Sequence, residues 1–151
     1  MKRGARDRKP VLIVDDDELV RWSAAERLRE CGYRVEVAAD AGEALERCPD
    51  AAVALLNHGP HVDGLVLADI LRCRCPRCAV VLMAADLTSN LRRLARERDI
   101  VRVLAKPFAL EDLVDAIRDA FGRFLASPAP RSAPGRGTTD EPRETGVPDR
   151  V

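Results

Sequence analysis

Five times between residues 10 and 126, a short apolar run gives way to a stretch in which apolar side chains recur every third or fourth position. The runs cover 11–14, 34–38, 51–56, 79–84 and 101–105, each compatible with a strand buried on both faces. Helical spacing follows in Val20, Ala24, Leu28 and Cys31, then in Ala41, Ala44, Leu45 and Cys48, then in Leu67, Ile70 and Leu71. It returns in Leu87, Leu91, Leu94 and Ala95, and again in Leu110, Leu113, Val114, Ile117 and Phe121. Parallel strands joined through helices need right-handed crossovers, and strict alternation leaves helices on both faces of one sheet. The pattern therefore predicts an α/β fold, a doubly wound (βα)5 parallel sheet in one domain over residues 10–126.

The flanks are different. Residues 1–9 are basic and polar and are expected to form a flexible N-terminus. Residues 127–151 supply Pro, Gly and Ser with little to bury, and their charges alternate in sign, which predicts a disordered, solvated tail. The 151 residues, 46% apolar, suffice for one domain and not for two. Basic and acidic residues balance at 25 each, so no overall field draws the chain to nucleic acid or to a membrane surface. Aromatics, at 3%, are too few for a base-stacking surface. No apolar run approaches the roughly 20 residues of a spanning helix. Only the apolar run 11–14 separates the basic start from Asp15, so no secretory leader is expected. The expected location is cytoplasmic, with the five cysteines reduced.

Ligands of an open parallel sheet gather beyond the carboxyl ends of its strands. Those ends read Asp15-Asp16-Asp17-Glu18 after the first run and Leu56-Asn57-His58-Gly59-Pro60 after the third. They read Met83-Ala84-Ala85-Asp86 after the fourth and Lys106-Pro107-Phe108 after the fifth. Adjacent carboxylates repel one another and are tolerated where water, a cation or a lysine offsets them. Asp17 and Glu18 suit the N-cap and first turn of a helix. Asp15 and Asp16 are left as an acidic pocket, with Lys106 as its complement.

The stretch from Val11 to Arg21, the Pro60-His61-Val62-Asp63-Gly64-Leu65 stretch and Lys106-Pro107-Phe108, at these separations, resemble the receiver domain of bacterial two-component response regulators. The resemblance covers most of the chain and implies a flavodoxin-like strand order, 2-1-3-4-5. It also implies Mg2+ at an acidic pair, an aspartate ending the third strand that accepts a phosphoryl group, a Ser or Thr ending the fourth that senses it, and a lysine that pairs with it. Asp15 and Asp16 match the pair, and Lys106 matches the lysine. Counting back from Pro60 puts Leu56 at the acceptor position, and a register one residue later offers Asn57. Neither can attack a phosphodonor, because that chemistry needs an ionised carboxylate. Ala85 stands where the sensing hydroxyl is expected, and Val103 where an aromatic often precedes the lysine. The Arg21-Trp22-Ser23 stretch is similar to receivers of nitrogen-regulator-type activators.

The expectation is a stand-alone pseudo-receiver in two-component, phosphorelay signalling that works through protein contact and is not an enzyme. No cofactor is expected, and Mg2+ is expected to bind weakly at most at Asp15 and Asp16, since Leu56 supplies no oxygen ligand. Lys106 then serves as counter-ion to Asp15 and Asp16. The expected partner is a histidine kinase, another regulator or an output protein, met at a basic surface that includes Arg92, Arg93, Arg96, Arg98 and Arg102. The oligomeric state is open.

Other readings compete. One is a conventional receiver with a displaced acceptor. Another is a small Mg-dependent haloacid-dehalogenase-like phosphatase, with Thr88, Lys106, Glu111 and Asp112 in its later roles; the small residue and Thr that usually follow its second Asp are missing. A dinucleotide site is weaker, because no Gly-x-Gly follows the first run. Cys48, Cys73, Cys75 and Cys78 lie in connections at the amino ends of adjacent strands, where four thiolates would suit Zn2+, although Cys-x-Cys-x-x-Cys is not the usual knuckle spacing. His58 and His61 read as exposed loop histidines, with a pH-sensitive contact to Asp16 as the alternative.

Overall fold

β1 (Val11–Val14) is buried at every position because of where it lies: between β2 (Val35–Ala38) and β3 (Val53–His58), with helices over both faces. The computed structural model describes residues 9–127, so the expected N-terminal segment and tail lie, save for Lys9 and Ser127, outside the described residues. β4 (Ala79–Ala84) and β5 (Arg102–Ala105) complete a five-stranded sheet in the order β2-β1-β3-β4-β5, parallel throughout. The expected fold class and strand order are therefore the observed ones.

Side-chain alternation sorts the core into two layers. Val11, Ile13, Val53, Leu55, Val81 and Met83 face α1 (Glu18–Glu30) and α5 (Leu110–Ala126), whose Leu28, Ile117 and Phe121 pack against them. Leu12, Val14, Leu56 and Leu82 face α2 (Ala41–Arg47), α3 (Gly64–Arg74) and α4 (Ser89–Glu97) through Ala44, Leu67, Leu71 and Leu91. Tyr33 stacks on Phe121 with centroids 5.1 Å apart, closing the first layer at the amino end of the sheet.

Four helices begin on a short polar side chain that accepts free backbone N–H groups. Asp17 caps α1, Asp40 caps α2, Asp63 caps α3 and Thr88 caps α4. Gly32, at φ +93°, supplies the left-handed turn that ends α1 and returns the chain to β2. Gly64 has a different role. A Cβ there would sit 2.7 Å from both the Asn57 carbonyl oxygen and Leu82 Cδ1, so the first turn of α3 packs against the end of β3 only without a side chain. Gly64→Ala is expected to lower stability by about 1–3 kcal/mol, read as a shift of the urea midpoint with m unchanged.

Several boundaries differ from the sequence reading. β3 runs from Val53 to His58 rather than over 51–56, because Asn57 and His58 pair with Met83 and Ala84 of β4. A polar strand end carries no apolar signal. β2 and β5 each begin one residue later than expected, Cys48 starts a 3-10 turn (Cys48–Asp50) instead of ending α2, and Leu87 precedes the α4 cap.

Candidate functional site

At the carboxyl end of β1, Asp15 is fully buried. A lone carboxylate there would be costly; two contacts hold it, and a third holds the Asp15 backbone. Its Oδ2 accepts from Lys106 Nζ at 2.7 Å, its Oδ1 accepts from the Asp17 backbone N–H at 2.9 Å, and its carbonyl oxygen accepts from Arg21 Nη1 at 2.7 Å. Lys106 arrives at the end of β5, where its own N–H donates to the Ala84 carbonyl at 2.8 Å. Asp15 and Lys106 are thus brought together as expected. Arg21 was not foreseen, although a signal exists: a cation in the first turns of a helix opposes the helix dipole and needs a local reason. The reason is the Asp15 carbonyl.

Asp16 is exposed, and the side chain it meets is Asn57, whose Nδ2 lies 3.5 Å from Asp16 Oδ1. Asn57 is 6% exposed and lies one step beyond the Val14–Leu56 pair, at the mouth of the pocket. Leu56 lies elsewhere: it is wholly buried, in register with Val14 and Leu82, on the layer covered by α2, α3 and α4. Of the two registers open in the sequence, the geometry brings Asn57 and not Leu56 to Asp16. The spacing to Pro60 misleads because the turn after β3, closed by Gly59 N–H on the Val62 carbonyl at 2.9 Å, is short.

The donor set is a poor fit for Mg2+. Both oxygens of Asp15 are engaged, Asn57 offers an amide in place of a third carboxylate, and among the described residues no group of three or more His, Cys, Asp or Glu is placed to hold a metal ion. Ala85, just past β4, is exposed and has no hydroxyl. Beside it an apolar groove of 510 Å³ opens between Leu19, Val20 and Ala24 of α1 and Pro107, Phe108 and Leu110.

The family model of the response regulator receiver domain matches residues 11–118. This chain belongs to that family. The receiver is 36% identical over 120 residues to the transcriptional regulatory protein PdtaR of Mycobacterium tuberculosis, covering 76% of this chain and 57% of the relative. It is 35% identical over 126 residues to the response regulator MprA of Mycobacterium leprae, covering 81% of this chain and 55% of the relative. The chain therefore spans little more than half the length of these curated relatives. Among solved structures it is similar to a CheY-like receiver of Methanospirillum hungatei, at a TM-score of 0.70 and 25% identity, covering 78% of this chain and 96% of that one. A signal receiver domain of an HD domain-containing protein from Pseudomonas fluorescens gives a TM-score of 0.72 at 25% identity, over 83% and 95% of the two chains.

Other candidate residues of the receiver lie outside the pocket. Thr88 Oγ1 accepts from Leu91 N–H at 3.0 Å as the α4 cap, and Glu111 and Asp112 occupy the exposed first turn of α5, so the set expected for a phosphatase is not gathered around Lys106. His58 ends β3 instead of lying in a loop, and the carboxylate its Nδ1 meets is that of Asp63, at 3.4 Å from Oδ1, and not that of Asp16. The basic surface is partly neutralised: Arg93 pairs with Glu97 at 2.8 Å, Arg98 with Asp69 at 3.1 Å and Arg102 with Asp119 at 2.8 Å. Arg92 and Arg96 are exposed without a carboxylate partner among the described residues. The expected zinc set is not assembled either, since Cys48 and Cys75 meet while Cys73 sits exposed two residues before Cys75, on α3. Cys75, the C-cap, has already left the helix at φ −137°, so its thiol is not held to the exposed side that carries Cys73.

Proposed function

We propose that this receiver, over residues 10–126, takes part in two-component signalling through protein contact and accepts no phosphoryl group, with Asn57 at the place of the acceptor aspartate. The observation that carries this reading is Asn57 against Asp16 at the end of β3, because a carboxamide cannot act as the anionic nucleophile that an acyl phosphate requires. Ala85 supports it, since a methyl group cannot follow a phosphoryl oxygen as a hydroxyl does. A displaced acceptor is less well supported: Asp63 Oδ1 accepts the Leu65 and Val66 N–H groups at 3.1 Å as a helix cap, and Asp15 is paired with Lys106.

Incubation of the full chain with acetyl phosphate and Mg2+ is expected to add no phosphoryl mass to the intact protein. A hydroxylamine-labile adduct mapped to Asp16 or Asp63 would overturn the reading. Millimolar Mg2+ should likewise move the melting temperature little, because a weakly held ligand stabilises only as RT ln(1 + [L]/Kd).

The partner is proposed to be another signalling protein, such as a histidine kinase, a second regulator or an output protein. Arg92 and Arg96, with Arg93 beside them, favour an acidic docking surface that speeds encounter at low salt. Changing the three together to Glu is expected to weaken a captured partner's affinity by about tenfold or more at low ionic strength, while phosphodonors leave it unchanged. Equal affinity of variant and wild type in a low-salt titration would place the docking surface elsewhere. Among the described residues no helix is long and apolar enough to cross a membrane.

A further inference from the structure

At the end of the sheet opposite the acidic pocket, two thiols from separate connections lie in contact. Cys48 starts the 3-10 turn between α2 and β3 and is 1% exposed; Cys75 caps the carboxyl end of α3 and is partly exposed. Their Sγ atoms are 3.3 Å apart, and the Cys75 thiol also donates to the Cys48 carbonyl at 3.1 Å. We propose that Cys48 and Cys75 form an oxidation site of this receiver, a dithiol that hydrogen peroxide closes to an intramolecular disulfide.

The geometry is near that of the product. A disulfide needs its sulfurs about 2.05 Å apart, so just over about 1 Å of travel, shared between two side chains, closes the bond. The backbone on both sides is already held. Pro49 follows Cys48 in its turn, whose Ala51 N–H donates to the Cys48 carbonyl, and Cys75 N–H donates to the Leu71 carbonyl at 2.6 Å. The 27-residue separation of the two cysteines makes the link a long-range one, tying the α2 turn to the end of α3.

The step balances with peroxide as the oxidant. The Cys75 thiol, the more exposed of the pair, gives its sulfur to one peroxide oxygen, forming a sulfenic acid and releasing one water. Cys48 sulfur then attacks Cys75 sulfur, the S–OH bond breaks, the S–S bond forms and a second water leaves with the Cys48 proton. Two thiols have lost two electrons, and one peroxide has gained them. Excess dithiothreitol reverses the change by taking up the disulfide bond itself.

The surroundings make the pair a slow responder. Burial first, then the hydrogen bond to Cys48 and its charge, push the Cys75 thiol up to about 12, with Asp50 adding to the rise and Arg74 opposing it. Burial, with Cys75 and Cys48 nearby, also pushes Cys78 up to about 12. The Cys75 thiol therefore stays protonated at pH 7, and closure requires sustained peroxide, not a brief trace.

The test treats the reduced full chain with millimolar peroxide at pH 7, blocks the remaining thiols with N-ethylmaleimide and maps peptides without reduction. Arg72, Arg74 and Arg77 allow trypsin to separate Cys73, Cys75 and Cys78 into different peptides, so the linkage is unambiguous. The expected result is a monomer lighter by two hydrogens, a Cys48–Cys75 crosslinked peptide, its loss on adding dithiothreitol, and a melting temperature higher by roughly 5–10 °C in the oxidised form. Cys78→Ser should keep the crosslink and Cys48→Ser should abolish it; if Cys48→Ser does not fold, the wild-type peptide map decides. A crosslink between Cys75 and Cys78, a Cys73-linked dimer alone, or full alkylation of Cys48 and Cys75 on denaturation after peroxide would each overturn the proposal.

Discussion

Asn57→Asp is expected to convert a receiver that takes up no phosphoryl group from acetyl phosphate into one that does. The substitution changes shape hardly at all, exchanging an N–H donor 3.5 Å from Asp16 for a carboxylate oxygen. It supplies the anionic nucleophile that the wild-type pocket lacks and a third carboxylate for a hard cation. Two signatures should appear together. In Mg2+ the intact mass should gain one hydroxylamine-labile phosphoryl group mapped to position 57, and Mg2+ should now raise the melting temperature by several degrees, because it relieves repulsion with Asp16. Leu56→Asp makes the opposite control. Leu56 is wholly buried among Val14, Leu82 and the helices behind them, so a charge there costs about 4–5 kcal/mol or more, a large share of a typical domain's stability. That variant should be unfolded or nearly so. A folded Leu56→Asp protein that accepts a phosphoryl group, with Asn57→Asp inert, would reverse the assignment.

Lys106→Met is expected to be the most damaging single change in the pocket itself. Nζ is 2.7 Å from an Asp15 carboxylate with no solvent exposure, and Met fills the volume of the lysine stem while removing the charge. The Asp15 carboxylate keeps the Asp17 N–H at 2.9 Å but loses its cationic partner, while Arg21 stays on the carbonyl oxygen. Removing one member of a buried pair strands the other, and a loss of about 2–4 kcal/mol at neutral pH follows, measured by urea unfolding. Asp15→Asn with Lys106→Met should recover much of the loss, since neither charge is then left alone. A stability unchanged in Lys106→Met would mean that the ion pair contributes nothing in solution.

The sheet order and the acidic pocket were largely legible before any coordinates, because five apolar runs alternating with helical spacing leave few topologies and because Asp15, Asp16 and Lys106 stand at strand ends. What could not be read was the last residue of β3. Apolar patterning ends at Leu56, while the strand goes on to His58 through its pairing with β4, a property of the neighbouring strand and not of the local residues. The same gap left Leu56 and Asn57 open as alternatives, for a slip of one residue exchanges the two faces of a strand. Arg21 escaped for another reason. Its partner is a main-chain carbonyl, which has no identity in a sequence. The cysteines were placed correctly at the amino ends of the strands, but Cys73 stays exposed on α3 while Cys75 leaves the helix as its C-cap to meet Cys48, a turn of the backbone that residue spacing does not announce.

The Asp15–Lys106 pair also bears on how the chain is made. The two residues are 91 apart in sequence, and the lysine follows the last strand to join the sheet. As the polypeptide leaves the ribosome, β1 emerges early and carries a carboxylate destined for complete burial, while its counter-charge has yet to be synthesised. Until β5 is out, closing the centre of the sheet over Asp15 would mean dehydrating an unmatched anion. Nascent chains that stop short of β5 should therefore stay open and accessible to proteases, and the domain should fold in one step once Lys106 is available. A single ion pair in this way makes the centre of the sheet wait for its edge.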